Sequence, residues 1–298
     1  MNRLPGEGYP APGSALQPTE PIDAEQLRQR VRDLPALPKA TLEALAALRD
    51  DEASTAHCGA LIGRDQALAA RTLRLANSAF YGVSGRVGSV RDAVQLLGRR
   101  TLCSVMTLAS VSQQFQPQNC PPFDFGSFWR HAVATGIVAR ALAQQHHFDQ
   151  DQAFTAGLLH DIGRLAMATH FPQATAEAMR RATSLDVGLH EIEHSLLGTD
   201  HSTVGALVAA QWHFAPEVTG AIAGHHCPEE SGATSLADIV HVADAVAHAL
   251  DLAGDPREMV PHVQAGTWER VVPSPRLLLP IFADTEAGVA ALCTALGL

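Results

Sequence analysis

Trp and Tyr are scarce in these 298 residues, three and two respectively, and 21 Lys plus Arg face 31 Asp plus Glu, for a net charge of -10. Non-specific binding to a phosphate backbone draws its affinity from clustered basic residues, and single-strand platforms need interleaved aromatic rings. Neither is available, so no nucleic-acid partner is expected. No run approaches the roughly 18 consecutive apolar residues that a spanning helix needs, and the opening MNRLPGEGYPAPGSALQPTEP has no apolar core resembling a signal peptide. The expectation is a cytoplasmic chain without membrane contact. Five cysteines (Cys58, Cys103, Cys120, Cys227, Cys293) are odd in number and include no C-x-x-C pair, which suits reduced packing thiols better than a disulfide framework or a zinc knot. Long alternating apolar segments and repeats of solenoid length are absent too, which leaves an all-α fold class.

What is present is helical patterning on an apolar background of 46%, enough for one large or two modest cores. Residues 1–23 are rich in Pro and Gly without periodicity and read as a disordered tail. Residues 24–115 read as a lobe of short helices: Ser54 and Asp65 are N-cap candidates, Ser89 and Asp92 have capping-box spacing, and Gly98 is a stop. The stretch QPQNCPPFDFG breaks the pattern, making 116–126 a linker. A second helical lobe runs over 127–252, with starts expected at Ser127, about Asp151, Asp200, Pro216 and Ser235. Residues 253–298 form a helical extension.

The second lobe carries chemistry where a core should be. If FTAGLLHDIGRL is one helix, Asp161 shares a face with Phe154, Gly157, Leu158 and Leu165, and a lone buried carboxylate costs several kcal/mol. It needs a cation or a metal ion. His131, His201, His225 with the adjacent His226, His241, Asp244 and His248 also fall on inward stripes of successive helices. Any one of them is more often a satisfied core residue than a ligand. Their joint occurrence is costly to bury unless they share something, and imidazole with carboxylate is the ligand set for Zn, Mn, Fe or Ni. The remaining histidines, His190 and His262 among them, fall on polar faces or in loops and are assigned no role.

The order His131, then His160 and Asp161 in LLHDIGR, then Asp244 in VADAV resembles the H…HD…D signature of the HD-domain metal-dependent phosphohydrolases. His201, His225 and His226 resemble the additional histidines of the cyclic di-GMP phosphodiesterase branch, HD-GYP. Upstream, RLANSAFYG followed by SVRDAVQLLG is similar to the HDOD family, the HD-related output domain of bacterial signalling proteins, over about residues 30–252. The resemblance implies one metal held by His131, His160, Asp161 and Asp244, and a second bridged by Asp161 and bound by His201, His225 and His226. Two departures touch the phosphodiesterase chemistry: Arg164 stands where that branch has Lys, and HHCPEESGATSL lacks its Gly-Tyr-Pro segment.

Three functions follow. The first is a regulatory output module with a divalent transition metal (Fe, Mn, Zn or Ni, one or two ions) and a signalling protein partner, docked near Arg74, Asn77, Phe80 and Tyr81. The second is a phosphohydrolase acting on a nucleotide or cyclic dinucleotide, with Asp161 and Arg164 in catalytic roles. The third is a metal-free helical scaffold. Little or no hydrolysis of cyclic di-GMP is expected.

Overall fold

The computed structural model describes residues 21–34, 39–50, 52–78, 87–99, 101–103, 120–228, 233–255, 259–272 and 274–296, together with Met106, Ser110 and Phe115. Among these residues the secondary structure is entirely helical. The N-terminal helices are α1 (Ala24–Arg32), α2 (Lys39–Arg49), α3 (Thr55–Ile62), α4 (Gln66–Ala76) and α5 (Val90–Leu97). Side-chain caps start most of them. Ser54 accepts from the His57 N–H, Asp65 from those of Ala67 and Leu68, and Ser89 from that of Asp92, so donors left without intrahelical partners are satisfied. Gly98 ends α5 at a φ of 76°, a left-handed conformation that glycine adopts without a Cβ penalty.

The second block holds α6 (Phe125–Gln145), α7 (Gln150–Leu159), α8 (Ile162–His170), α9 (Pro172–Leu185), α10 (Leu189–Leu197), α11 (His201–Gln211), α12 (Pro216–Gly224) and α13 (Leu236–Ala249). Asp200, Pro216 and Ser235 begin helices as the sequence predicts. The first two starts lie slightly earlier than expected, because Asp124 and Asp149 are the caps. FTAGLLHDIGRL is not one helix: α7 ends at Leu159, His160 and Asp161 form a turn, and α8 leaves from Ile162. Asp161 therefore sits at a helix junction, not on a continuous stripe.

Two close crossings organise this block. A Cβ on Gly163 of α8 would collide with the His201 carbonyl and lie 2.6 Å from the Gly205 nitrogen, so α8 and α11 touch backbone to backbone. A Cβ on Gly157 of α7 would lie 2.8 Å from the Thr135 carbonyl of α6. Only glycine permits such approaches. They bring Asp161 beside His201 and His160 beside His131.

The chain ends in α14 (Ala265–Val271), a 3-10 turn (Pro275–Leu277) and α15 (Leu278–Leu296). Residues Pro275–Ala295 are long and apolar enough to cross a membrane by length and composition. Asp284 and Glu286 interrupt the apolar run, and one side of α15 packs on α4 and α6, joining the two blocks. Although α1 falls within the expected first lobe by sequence, it lies against α11 of the second block, and the Ile22 N–H donates to the Leu197 carbonyl at 2.8 Å.

Candidate metal centre

The seven residues singled out as ligands converge. Asp161 Oδ1 lies 3.2 Å from His201 Nε2, 3.7 Å from His225 Nε2 and 3.7 Å from His160 Nε2. His226 Nε2 is 2.6 Å from His201 Nε2. Asp244 Oδ1 lies 2.9 Å from His131 Nε2 and 3.4 Å from His160 Nε2, and His131 and His160 meet Nε2 to Nε2 at 3.3 Å. These separations suit a shared cation: two ligands bonded at 2.0–2.1 Å to a tetrahedral ion stand about 3.4 Å apart. Three groups could hold a metal, namely Asp161 with His201, His225 and His226; His131 with His160 and Asp161; and His131 with Asp244 and His248.

Ring orientation supports the fit. His160 Nδ1 faces the Gly157 carbonyl at 2.7 Å, His225 Nδ1 faces the Ile222 carbonyl at 2.7 Å, and His201 Nδ1 faces Glu193 Oε2 at 2.5 Å. Each ring thus donates from Nδ1 to an outer oxygen and turns Nε2 inward, the arrangement that fixes tautomer and aim in metal-bound imidazoles. His225 Nε2 is buried without a hydrogen-bond partner, an orphan that a metal would satisfy.

The electrostatics point the same way. Burial raises the Asp161 carboxyl, but His160, Arg164 and His201 outweigh it and hold the group well below the usual range. Asp244 is likewise held down against burial by His248, His131 and His160. Burial opposes charge on His201, yet the Glu193 and Asp161 carboxylates push its pKa up to about 10. For His225 burial wins, helped by His160 and His201, and lowers it to about 3. His226 is driven well below 6.5 by burial and by His225. Without a metal, Arg164 and a proton on His201 contribute the positive charge that Asp161 requires.

Four residues near this centre were absent from the expected ligand set. Glu193 is fully buried and orients His201 through both its backbone N–H and Nδ1. Its helix LHEIEHSLL reads as a polar face, so nothing in the local pattern marks it. His248 belongs to an inward stripe, and its Nε2 lies 3.3 Å from Asp244 Oδ1. His190 is not idle: it stacks on His226 with centroids 4.1 Å apart and 13° between planes, and with His262 it lines a cavity over the centre. Asp238, by contrast, is structural, closing the α13 capping box and pairing with Arg270 at 2.5 Å.

That cavity, about 570 Å³, reaches His131, Asp161, His201, His226 and Asp244. Beyond Asp161 and Asp244, its described lining includes the acidic residues Asp124, Asp186, Glu191 and Asp255. Arg164 is the one Lys or Arg there, and its guanidinium donates to Asp161 Oδ2 at 2.8 Å. The expected docking residues fare differently. Arg74 is exposed. The Asn77 amide donates to the Leu73 and Val87 carbonyls at 3.0 and 2.8 Å and accepts from the Val87 N–H at 3.0 Å, so it clamps the chain and is not a free docking group. Phe80 and Tyr81 lie outside the described residues.

Known proteins resemble this chain in sequence or in fold. An uncharacterized protein of Treponema pallidum (strain Nichols) is 27% identical over 216 residues, 70% of this chain and 41% of that protein. Ribonuclease Y of Geotalea uraniireducens (strain Rf4) is 30% identical over 132 residues, 44% of this chain and 20% of that enzyme. The chain thus spans less than half the length of either relative. A Shewanella amazonensis crystal structure, whose phosphohydrolase name is provisional, superposes with a TM-score of 0.67 at 27% identity, covering 88% of this chain and 97% of that one. An HDOD domain protein of unknown function from Geobacter sulfurreducens has the same fold, with a TM-score of 0.72 at 20% identity over 92% of this chain and 99% of its own. Residues 34–228 match the HDOD domain, well over half of the chain, and the chain belongs to the HDOD family.

Proposed function

We propose that this chain is a regulatory output module of signal transduction whose HD-like site binds a divalent transition metal, and that it works through a protein partner with little or no hydrolysis of cyclic di-GMP. The observation that carries this reading is the charge of the cavity above the centre. Beyond the ligands Asp161 and Asp244, its described lining sets four carboxylates against one guanidinium, and that guanidinium is already engaged by Asp161. A cyclic dinucleotide brings two phosphates, and catalysis requires groups that hold them in line with the nucleophile. The ligand set itself favours metal retention: Asp161 and Asp244 are buried, and the histidines turn their Nε2 atoms toward them. For the partner, the exposed end of α4 at Arg74, fixed by the Asn77 clamp, is the surface we favour.

One observation favours the second reading, a metal-dependent phosphohydrolase. The cavity opens directly on five of the expected ligands, His131, Asp161, His201, His226 and Asp244, so a coordination position would face an incoming substrate. A bound ion pair would polarise a phosphoryl oxygen and lower the pKa of a bound water. The provisional phosphohydrolase name of the Shewanella protein and the ribonuclease Y relatives lean the same way. The two readings part in one assay. The Mn(II)- or Fe(II)-loaded chain is incubated with cyclic di-GMP and with an unspecific phosphodiester, beside Asp161→Asn. Turnover at the metal-free background is expected for cyclic di-GMP. Metal-dependent turnover that Asp161→Asn abolishes while the fold stays intact would establish the enzyme instead.

A further inference from the structure

We infer that His248 is a metal ligand, and that with His131 and Asp244 it forms a cation site of its own, distinct from the site built around Asp161. This rests on the reading of the centre as metal-binding. The resemblance-based set gave Asp244 only His131 and His160 as neighbours, whereas the structure adds a third imidazole from the same helix. Asp244 and His248 are four residues apart on α13 and therefore share a face, so one helix delivers both toward α6.

The crowding at Asp244 is what a cation would relieve. Three Nε2 atoms, those of His131, His248 and His160, approach the single oxygen Asp244 Oδ1 at 2.9, 3.3 and 3.4 Å. A carboxylate oxygen has two lone pairs, so three ring nitrogens cannot all donate to it with good geometry. His160 turns its Nδ1 to the Gly157 carbonyl at 2.7 Å, so Nε2 is the atom it offers at Asp244. A cation among these atoms would satisfy the three nitrogens and the carboxylate together. The His131 and His248 rings lie side by side with centroids 4.2 Å apart, close enough for both Nε2 atoms to reach one ion. His248 also lines the cavity, which gives that ion a route of entry and a face open to ligand.

The two groups, one at Asp161 with His201, His225 and His226 and one at Asp244 with His131 and His248, have no residue in common. Two ions are therefore the consequence, with His160 between them. Loss of His248 should empty the Asp244 site and spare the other.

The test uses the full chain, stripped with EDTA, reloaded with Mn(II) and desalted. Manganese per chain is measured by mass spectrometry, and electron paramagnetic resonance distinguishes coupled from isolated ions. The wild type is expected to hold two Mn(II) per chain with a coupled spectrum. His248→Gln and His248→Ala should hold one with an isolated-ion spectrum, or bind the second at least about tenfold more weakly. His248→Glu, which restores a ligand oxygen, should recover it. Equal melting temperatures of the EDTA-treated proteins would show that the fold is unchanged. If the variants bind Mn(II) in the same number and with the same affinity as the wild type, His248 is not a ligand and the inference fails while the metal-binding reading stands. Failure of His248→Glu to recover an ion lost by His248→Gln would likewise overturn it in favour of a structural role. A wild type that takes up no Mn(II) would overturn both.

Discussion

The helices α2–α5 and the helices α6–α13 both bury apolar side chains, but only the second group adds a cluster of buried ionisable ones. In the first group the buried side chains are Leu45, Leu48, Ile62, Leu68, Leu75, Val94 and their like, and among the described residues its buried polar groups are hydroxyls such as Thr41 and Thr72. In the second, His131, His160, Asp161, Glu193, His201, His225, His241 and Asp244 are buried together. Apolar burial alone accounts for the former. The latter requires that each desolvated charge find an opposite one, because an uncompensated buried ion costs far more than a lost methylene. One region is thus held by shape alone, the other by an apolar core joined to charge compensation at its centre, and the difference is open to perturbation.

The largest expected effect comes from removing one charge. Asp161→Asn leaves the His201 imidazolium and Arg164 facing a neutral amide, and should lower the unfolding free energy of the metal-free chain by about 3–5 kcal/mol in urea titrations. Leu75→Ala in the apolar core should cost a similar ~2–5 kcal/mol. The two separate with metal present: the cost of Leu75→Ala should be the same with or without EDTA, whereas Asp161→Asn should also weaken the response to EDTA. A Leu75→Ala cost that changed with chelator would break the contrast.

Metal removal ranks next. At a free ion concentration of 100 times the dissociation constant, a bound metal stabilises by about 2.7 kcal/mol, so EDTA should lower the melting temperature. Hydrogen exchange should then quicken in α6–α8 and α11–α13 before α2–α5. Uniform quickening would mean that the two regions unfold as one unit.

The pH profile of the metal-free chain sharpens the contrast further. His201 has a folded pKa of about 10 against 6.5, so its stabilising contribution is complete below 6.5 and is lost as pH rises toward 10. His225, at about 3, resists protonation in the fold, so stability also declines as pH falls from 6.5 toward 3. The depressed Asp161 and Asp244 add to the acid-side loss. Melting in EDTA should therefore peak near pH 6.5, and a profile flat from pH 6.5 to 10 would contradict the His201 assignment.

The smallest effects belong to the first region. Asn77→Ala should cost about 1–2 kcal/mol through its lost backbone hydrogen bonds and should expose the Val87 amide to exchange. Arg74→Ala should change stability by less than about 0.5 kcal/mol while weakening any partner that docks there.

Much of this organisation was legible beforehand. The caps at Asp65, Ser89, Asp200 and Ser235 and the stop at Gly98 act within a turn of chain, and a short stretch of sequence contains every atom involved. The inward stripes of His131, His201 and Asp244 follow from helical periodicity in the same way. Glu193 and His190 were not legible, since both sit on a helix that looks solvated until its neighbours are placed. The break at His160 and Asp161 was hidden for a related reason: the apolar period continues straight through it.

What the sequence determined by itself, then, was the set of chemical groups and the local helices that carry them, because hydrogen bonds at caps and the 3.6-residue period are short-range. Which Nε2 atom meets which oxygen was decided only by the tertiary structure. Gly163 against Gly205, and Gly157 against Thr135, set how near the helices approach, and those crossings bring Asp161 to His201 and His160 to His131. Even Asp244 and His248, neighbours on one face of α13, acquire their meaning from α6, whose His131 closes the group around a single carboxylate oxygen. Ligands drawn from separate helices converge only when packing has fixed the distances between those helices, and no local property of the chain encodes that distance.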